Sequence, residues 1–122
     1  MALEDLAMMR SIPNSVVFYP SDAVSTERAV VLAANHKGIV FIRTSRPNTD
    51  ILYENNETFE IGKSKIVKQH ENDVILLVGG GVTLHECHKA SKILESQGVH
   101  ARVMDVFSVK PFDKELFIKN AQ

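Results

Sequence analysis

Two arginines, Arg43 and Arg46, follow the apolar run Ile39–Ile42. A guanidinium can grip a phosphate through two parallel hydrogen bonds, a geometry an ammonium does not reproduce. If Ile39–Ile42 is a strand of an open parallel sheet, both arginines lie near its C-terminal end, where such sheets bind ligands. Pro47 holds Arg46 to an extended backbone and stiffens the loop. The residue types alone leave a second reading open, and favour it: a surface arginine paired with nearby acids.

Other candidates are weaker. Gly79-Gly80-Gly81 sits where a strand turns into a helix, a place where phosphate can meet backbone N–H groups. It lacks the lysine of a P-loop and the third spaced glycine of a dinucleotide fingerprint, so a tight turn needing positive φ is the favoured account. His85, Glu86, Cys87 and His88 suggest metal binding, but the string is not H-E-x-x-H and two ligands make no structural zinc site. Thr83 as N-cap with Glu86 three residues on reads as a capping box, leaving Cys87 to the core. His36, His70 and His100 fall in predicted turns or strand edges. No G-x-S-x-G occurs, and Ser45 has no identifiable base.

These residues must be positioned by alternating strands and helices. Leu3, Leu6 and Ala7 at i, i+3 and i+4 predict a helix ending before Pro13. Val16–Tyr19 reads as a strand. Ser21 or Asp22 caps a second helix running to about Asn35, with Val30, Ala33 and Ala34 on one face. Gly38 stops it, and Ile39–Ile42 is the next buried strand. From Arg46 to Ser64 turn formers dominate, with Ile51, Leu52, Tyr53, Phe59 and Ile61 as apolar anchors; this predicts a linker that packs against the fold. The alternation restarts with a strand at Ile66 and Val67. Val74–Val78, five consecutive apolar residues, predicts a strand buried on both faces. A helix over Thr83–Gln97 follows, with Leu84, Cys87, Ala90 and Leu94 inward, then a strand within Val99–Phe107 and a last helix from Asp113. The class is α/β: mainly parallel sheet layers with flanking helices, in two incomplete α/β units. The boundary falls at about residue 62, giving units 1–62 and 63–122.

Composition narrows the partners. Hydrophobic residues make up 44% of the 122 and charged residues 24%, as in ordinary globular domains. Fourteen Lys and Arg against fifteen Asp and Glu leave a formal charge of −1 and no basic stripe, which argues against nucleic acid. No run approaches a membrane span. Glu4 and Asp5 in the first turn are unlike a secretory leader, and the lone Cys87 excludes an internal disulfide; both suit a cytoplasmic setting.

Several blocks together carry a resemblance. Met1–Met8 (MALEDLAM), Phe18-Tyr19-Pro20-Ser21-Asp22, Leu32–Asn35, Phe41-Ile42-Arg43-Thr44-Ser45-Arg46-Pro47, Gly81–Glu86 and Val109-Lys110-Pro111 stand in order and spacing that resemble animal-type transketolases across essentially the whole chain. Met9, Gly80, Cys87 and His88 depart from the usual pattern, as in a divergent copy or transketolase-like paralogue. The resemblance implies a homodimer that uses thiamine diphosphate with Mg²⁺ or Ca²⁺. It moves a two-carbon ketol unit between a ketose phosphate and an aldose phosphate in the pentose phosphate pathway. It also implies that residues 1–62 are the end of the pyrimidine-binding domain and 63–122 the start of the C-terminal domain. Arg46 matches the family arginine that holds the sugar phosphate, whereas Arg43 matches no ligand. Such remote phosphate binding orients the reacting carbons.

No G-D-G metal motif occurs in the chain, and the resemblance places the catalytic glutamate and a substrate-binding histidine and aspartate before Met1. The chain alone is therefore expected to be inactive, to hold no catalytic residue, and to retain neither thiamine diphosphate nor metal. Deoxyxylulose phosphate synthase and the 2-oxoacid dehydrogenase β subunit share the domain order, but the FIRTSRP and MALEDLAM runs argue against both. A rival of another class is a non-catalytic interaction module pairing with a full-length transketolase.

Overall fold

The computed structural model describes residues 4–122. Leu3 and the start of the MALEDLAM block lie outside them. The first elements are helix α1 (Asp5–Ser11), strand β1 (Val16–Phe18), helix α2 (Ala23–Asn35) and strand β2 (Val40–Ile42). Residues 43–64 contain no regular element and lead to β3 (Lys65–Lys68) and β4 (Ile75–Gly79). Helix α3 (Val82–Ser96), β5 (Ala101–Asp105), β6 (Ser108–Lys110) and α4 (Lys114–Ala121) complete the fold.

Two three-stranded sheets result, ordered β2-β1-β6 and β3-β5-β4. The β1–β2 and β4–β5 pairs are parallel, as βα crossovers require; β1–β6 and β3–β5 are antiparallel. The α/β class holds, but the sheets are mixed rather than mainly parallel. The reason is β6, a three-residue strand the sequence reading missed. Through Val106 and Phe107 the chain passes from β5 in one sheet to β6 beside β1 in the other, so a strand from the second half completes the first sheet. Lys110 at its end donates from Nζ to the carbonyls of Arg10 (2.9 Å) and Ile12 (2.6 Å) and to Ser15 Oγ (3.1 Å). These groups lie at the C-terminal end of α1, where orphan carbonyls and the helix dipole favour a cation.

One core joins both halves. Val16 and Phe18 of β1, Val24 and Ala29 of α2, and Phe107 pack with Tyr53 and Phe59 from the irregular segment. Phe107 stacks on Phe18 at 4.9 Å between ring centroids and meets Phe59 at 4.6 Å, and Tyr53 stands edge-on to Phe59 at 4.9 Å. The segment thus packs as its aromatic anchors predict, though Ile51 stays in water.

Four local readings are corrected. Helix α2 buries Val24, Ser25 and Ala29, while Val30 is exposed; the packed face is set by the cap at Asp22. Strand β4 is not buried on both faces: it is the edge of its sheet, and Val74, Ile75 and Val78 remain exposed. Ile39 is likewise exposed and β2 only half-buried. Finally, Thr83 is not the N-cap of α3. Gly81 holds that position, at φ +55°, and the Thr83 hydroxyl accepts from Gly80 N (3.0 Å) and donates to Gly80 O (2.8 Å). Glu86 pairs with Lys89 instead.

Candidate functional site

Because β1 and β2 run parallel, their C-terminal ends open on the same edge, and the chain leaves each into the residues that shape a cleft. Pro20, Ser21 and Asp22 follow β1; Thr44, Ser45, Pro47, Asn48 and Thr49 follow β2; Val82 opens α3 opposite. The cleft encloses about 700 Å³, and its walls carry hydroxyl, amide and apolar groups together with the carboxylates of Asp22 and Glu27. This is the position at which open α/β sheets bind ligands.

The two arginines part company here. Arg43 is committed: Nη1 donates to Asp5 Oδ1 at 3.0 Å, and the guanidinium lies over the Tyr19 ring, 5.2 Å from its centroid. Its backbone N–H also closes on Phe18 O at 2.9 Å. Arg46, three residues on, is exposed and makes no ion pair or hydrogen bond with any described residue. In sequence it falls between the lining residues Ser45 and Pro47, and it is not itself among the residues that line the cleft. The acidic partners that would make it an ordinary surface ion pair are absent among the described residues.

Asp22 organises the base of the cleft. Its Oδ1 accepts from Ser25 N (2.8 Å) and Ser25 Oγ (2.7 Å), capping α2 in a box whose other half is Ser25 Oγ accepting from Asp22 N. Its Oδ2 accepts from the backbone N–H groups of Leu52 (2.8 Å) and Tyr53 (3.0 Å). Burial pushes this carboxyl up, but the bonds from Ser25, Leu52 and Tyr53 outweigh it and hold the carboxyl below the usual range. The next residue back is fixed too: His85 Nε2 lies 2.7 Å from Ser21 O.

Beneath the cleft lies a second carboxylate. Asp105, wholly buried at the end of β5, accepts from Tyr53 Oη (2.5 Å) and Ser21 Oγ (3.3 Å). Burial is the main cause that lifts its pKa to about 7; the two hydroxyls oppose it, Asp22 adds to it, and Lys65 opposes it. Burial, then the Asp105 charge, pushes Tyr53 upward as well. The sequence reading passed over Asp105 and took Tyr53 only as an apolar anchor. The available signal was a polar-tipped aromatic among turn formers, since a buried tyrosine needs a partner for its hydroxyl.

The remaining candidates do not converge. His85 is turned to Ser21, and Cys87 is half-buried with its thiol pushed up by burial. Among the described residues no three His, Cys, Asp or Glu side chains come together as a group that could hold a metal ion. Ser45 has only the Tyr19 hydroxyl near it, at 3.5 Å. No described helix is long and apolar enough to cross a membrane.

Comparison with known proteins gives two family matches: residues 1–50 to "Transketolase, pyrimidine binding domain" and residues 62–122 to "Transketolase, C-terminal domain". Over all 122 residues the chain is 57% identical to transketolase-like protein 1 of Bos taurus and 53% identical to transketolase of Homo sapiens. It spans about a fifth (20%) of the length of each. Among solved structures, one described as a split gene transketolase, inactive beta4 tetramer, superimposes with a TM-score of 0.93 at 38% identity, over 99% of this chain and 40% of that one. A Pichia stipitis transketolase in complex with sedoheptulose 7-phosphate gives 0.75 at 25% identity, over 93% of this chain and 17% of that one.

Proposed function

The chain belongs to the transketolase family, and on that premise we propose that it contributes the sugar-phosphate end of a ketol-transfer site, with Arg46 as the phosphate ligand. The observation that carries this is the contrast between two neighbouring arginines. Arg43 is occupied by Asp5 and Tyr19, whereas Arg46 is exposed and keeps all its donors, next in sequence to the cleft-lining residues Ser45 and Pro47. A buried or paired arginine would have to break bonds to take a phosphate. Arg46 would not.

In this reading thiamine diphosphate of the larger protein supplies the carbon–carbon chemistry, with Mg²⁺ or Ca²⁺ held by residues other than those described here. The residues of this chain bind and orient the sugar. Residues 1–62 are the end of the pyrimidine-binding domain and 63–122 the start of the C-terminal one; the gap between the two family matches, residues 51–61, supports that division. The working form is a homodimer acting on ketose and aldose phosphates in the pentose phosphate pathway, in the cytoplasm. The chain alone does not transfer ketol units. The inactive tetramer formed by the split-gene relative supports that last point.

The test is Arg46→Ala in the full-length protein, assayed with a phosphorylated ketose donor and with the same ketose lacking phosphate. Loss of a charge-assisted pair predicts a KM for the phosphorylated donor raised roughly 10- to 100-fold, with the unphosphorylated donor unaffected. Equal loss on both donors, or on neither, would overturn the assignment.

A further inference from the structure

The loop that bears Arg46 is held at each end, with Ser45 also 3.5 Å from the Tyr19 hydroxyl between them, and the far end has no role in the reading above. At its near end, Arg43 is fixed by its backbone bond to Phe18, its pair with Asp5 and its contact with Tyr19. At its far end, the N–H groups of Leu52 and Tyr53 both close on one oxygen of Asp22. Between these points, residues 44–51 contain no regular element, and Thr44, Ser45, Pro47, Asn48, Thr49 and Ile51 line the cleft together with Asp22 itself. We infer that Asp22 is a positioning residue for the phosphate-binding loop, setting where Arg46 stands without touching the sugar. The inference rests on Arg46 being the phosphate ligand.

The physical argument is preorganisation. A ligand group on a free loop loses conformational entropy when it binds, and that loss weakens affinity. Two anchors, three residues before Arg46 and six after it, leave the loop little to lose. Asp22 suits the task because its two oxygens do different work. Oδ1 caps α2, a rigid element, and Oδ2 receives the loop, so the loop's far end is referred directly to the helix axis. Four donors on one ionised carboxylate make these charge-assisted bonds, stronger than neutral ones.

The division between the oxygens also supplies the experiment. In the full-length protein, Asp22→Ser keeps one hydroxyl oxygen to cap α2 and removes the acceptor for Leu52 and Tyr53. Hydrogen exchange at the Leu52 and Tyr53 amides should accelerate. The KM for sedoheptulose 7-phosphate should rise about tenfold with kcat little changed, a rise that exceeds any change seen with an unphosphorylated ketose. Should the serine variant fold poorly, Asp22→Asn, of the same size, keeps the capping oxygen and turns an amide N–H₂ toward the two loop donors, and it must give the same split. Fast amide exchange with an unchanged KM would overturn the positioning role, as would unchanged exchange. Arg46→Ala, run beside them, separates the two claims. If it spares the phosphate preference, the Arg46 reading fails; if it abolishes that preference while the Asp22 variants do not, only the positioning claim fails.

Discussion

Tyr53 donates a hydrogen bond from its phenolic hydroxyl to Asp105 across 2.5 Å, in a buried site where, among the described residues, no ammonium or guanidinium is bonded to either group. The bond ties the irregular segment to the end of β5. Ser21, 3.3 Å from the other carboxylate oxygen, ties both to the corner that follows β1. A carboxyl so placed is costly to ionise.

Asp105 should therefore make stability fall as pH rises. Its folded-state value of about 7 lies above the ordinary 3.8, so between those values the folded protein keeps a proton that the unfolded chain has lost. Fewer protons on the unfolded state means a negative slope of unfolding free energy against pH, from about pH 4 to about pH 7. The effect is on the order of a few kcal/mol across that window. Asp22, held low, acts oppositely: its contribution is present above its ordinary value and lost as pH falls below it. Urea midpoints at pH 5 and pH 8 should be well separated in the wild type, with pH 5 the more stable, and nearly equal in Asp105→Asn. A wild type equally stable at both would contradict the assignment.

Gly81→Ala should be severely destabilising. At φ +55° an L-residue is strained, and its Cβ would lie 2.1 Å from Tyr19 Cε2, well inside contact distance. Tyr19 cannot yield freely, since its backbone bonds to Phe107 and Gly81 and its ring carries Arg43. We expect a loss of about 3 kcal/mol or more. Gly98→Ala is the control: φ is also positive, at +78°, but nothing lies within 4 Å. It should cost only about 1 kcal/mol. Comparable thermal shifts for the two variants would show that the Tyr19 contact does not matter.

Lys110→Met tests whether β6 holds the first helix. The methionine keeps an apolar stem but none of the three bonds to Arg10 O, Ile12 O and Ser15 Oγ. Removing a charged donor from acceptors at a helix end should cost roughly 1.5–3 kcal/mol. It should also speed amide exchange across α1 more than across α3. Uniform acceleration would mean global destabilisation, and α1 would then not depend on the lysine.

Elements formed by local pattern were legible, and those settled by distant partners were not. The strand at Val16, the helix capped by Asp22, the stop near Gly38 and the helix begun at Asp113 all follow from nearby residues, and all are present. β6 was invisible because three residues ahead of a proline carry no periodicity; they become a strand only against β1, some ninety residues earlier. Thr83 looked like a cap because the spacing to Glu86 is right, but Gly81 can take a backbone angle that threonine cannot. Arg43 and Arg46 are the same residue type in the same loop. What separates them is Asp5, 38 positions away, which claims one and leaves the other free.

The edge of β4 yields the last prediction. Val74–Val78 is a run suited to burial on both faces, yet the order β3-β5-β4 leaves one side of β4 unpaired, with Val74 74% and Val78 40% exposed. On the other sheet, β2 is also an edge, flanked by exposed Ile39 and by Val30 and Val31 of α2. An apolar strand edge is a template for pairing with another chain, and natural proteins blunt such edges with lysine. The 122-residue chain by itself should therefore associate at micromolar concentration. Val74→Lys with Val78→Lys should shift sedimentation toward the monomer, because both side chains are already in solvent and their charge opposes edge-to-edge contact without opening the core. A wild-type chain that sediments as a single monomer at those concentrations would show that the edge is not adhesive. If the double variant associates as strongly as the wild type, the contact lies on the α2–β2 side, and Val30→Glu with Ile39→Lys becomes the pair that should disperse it.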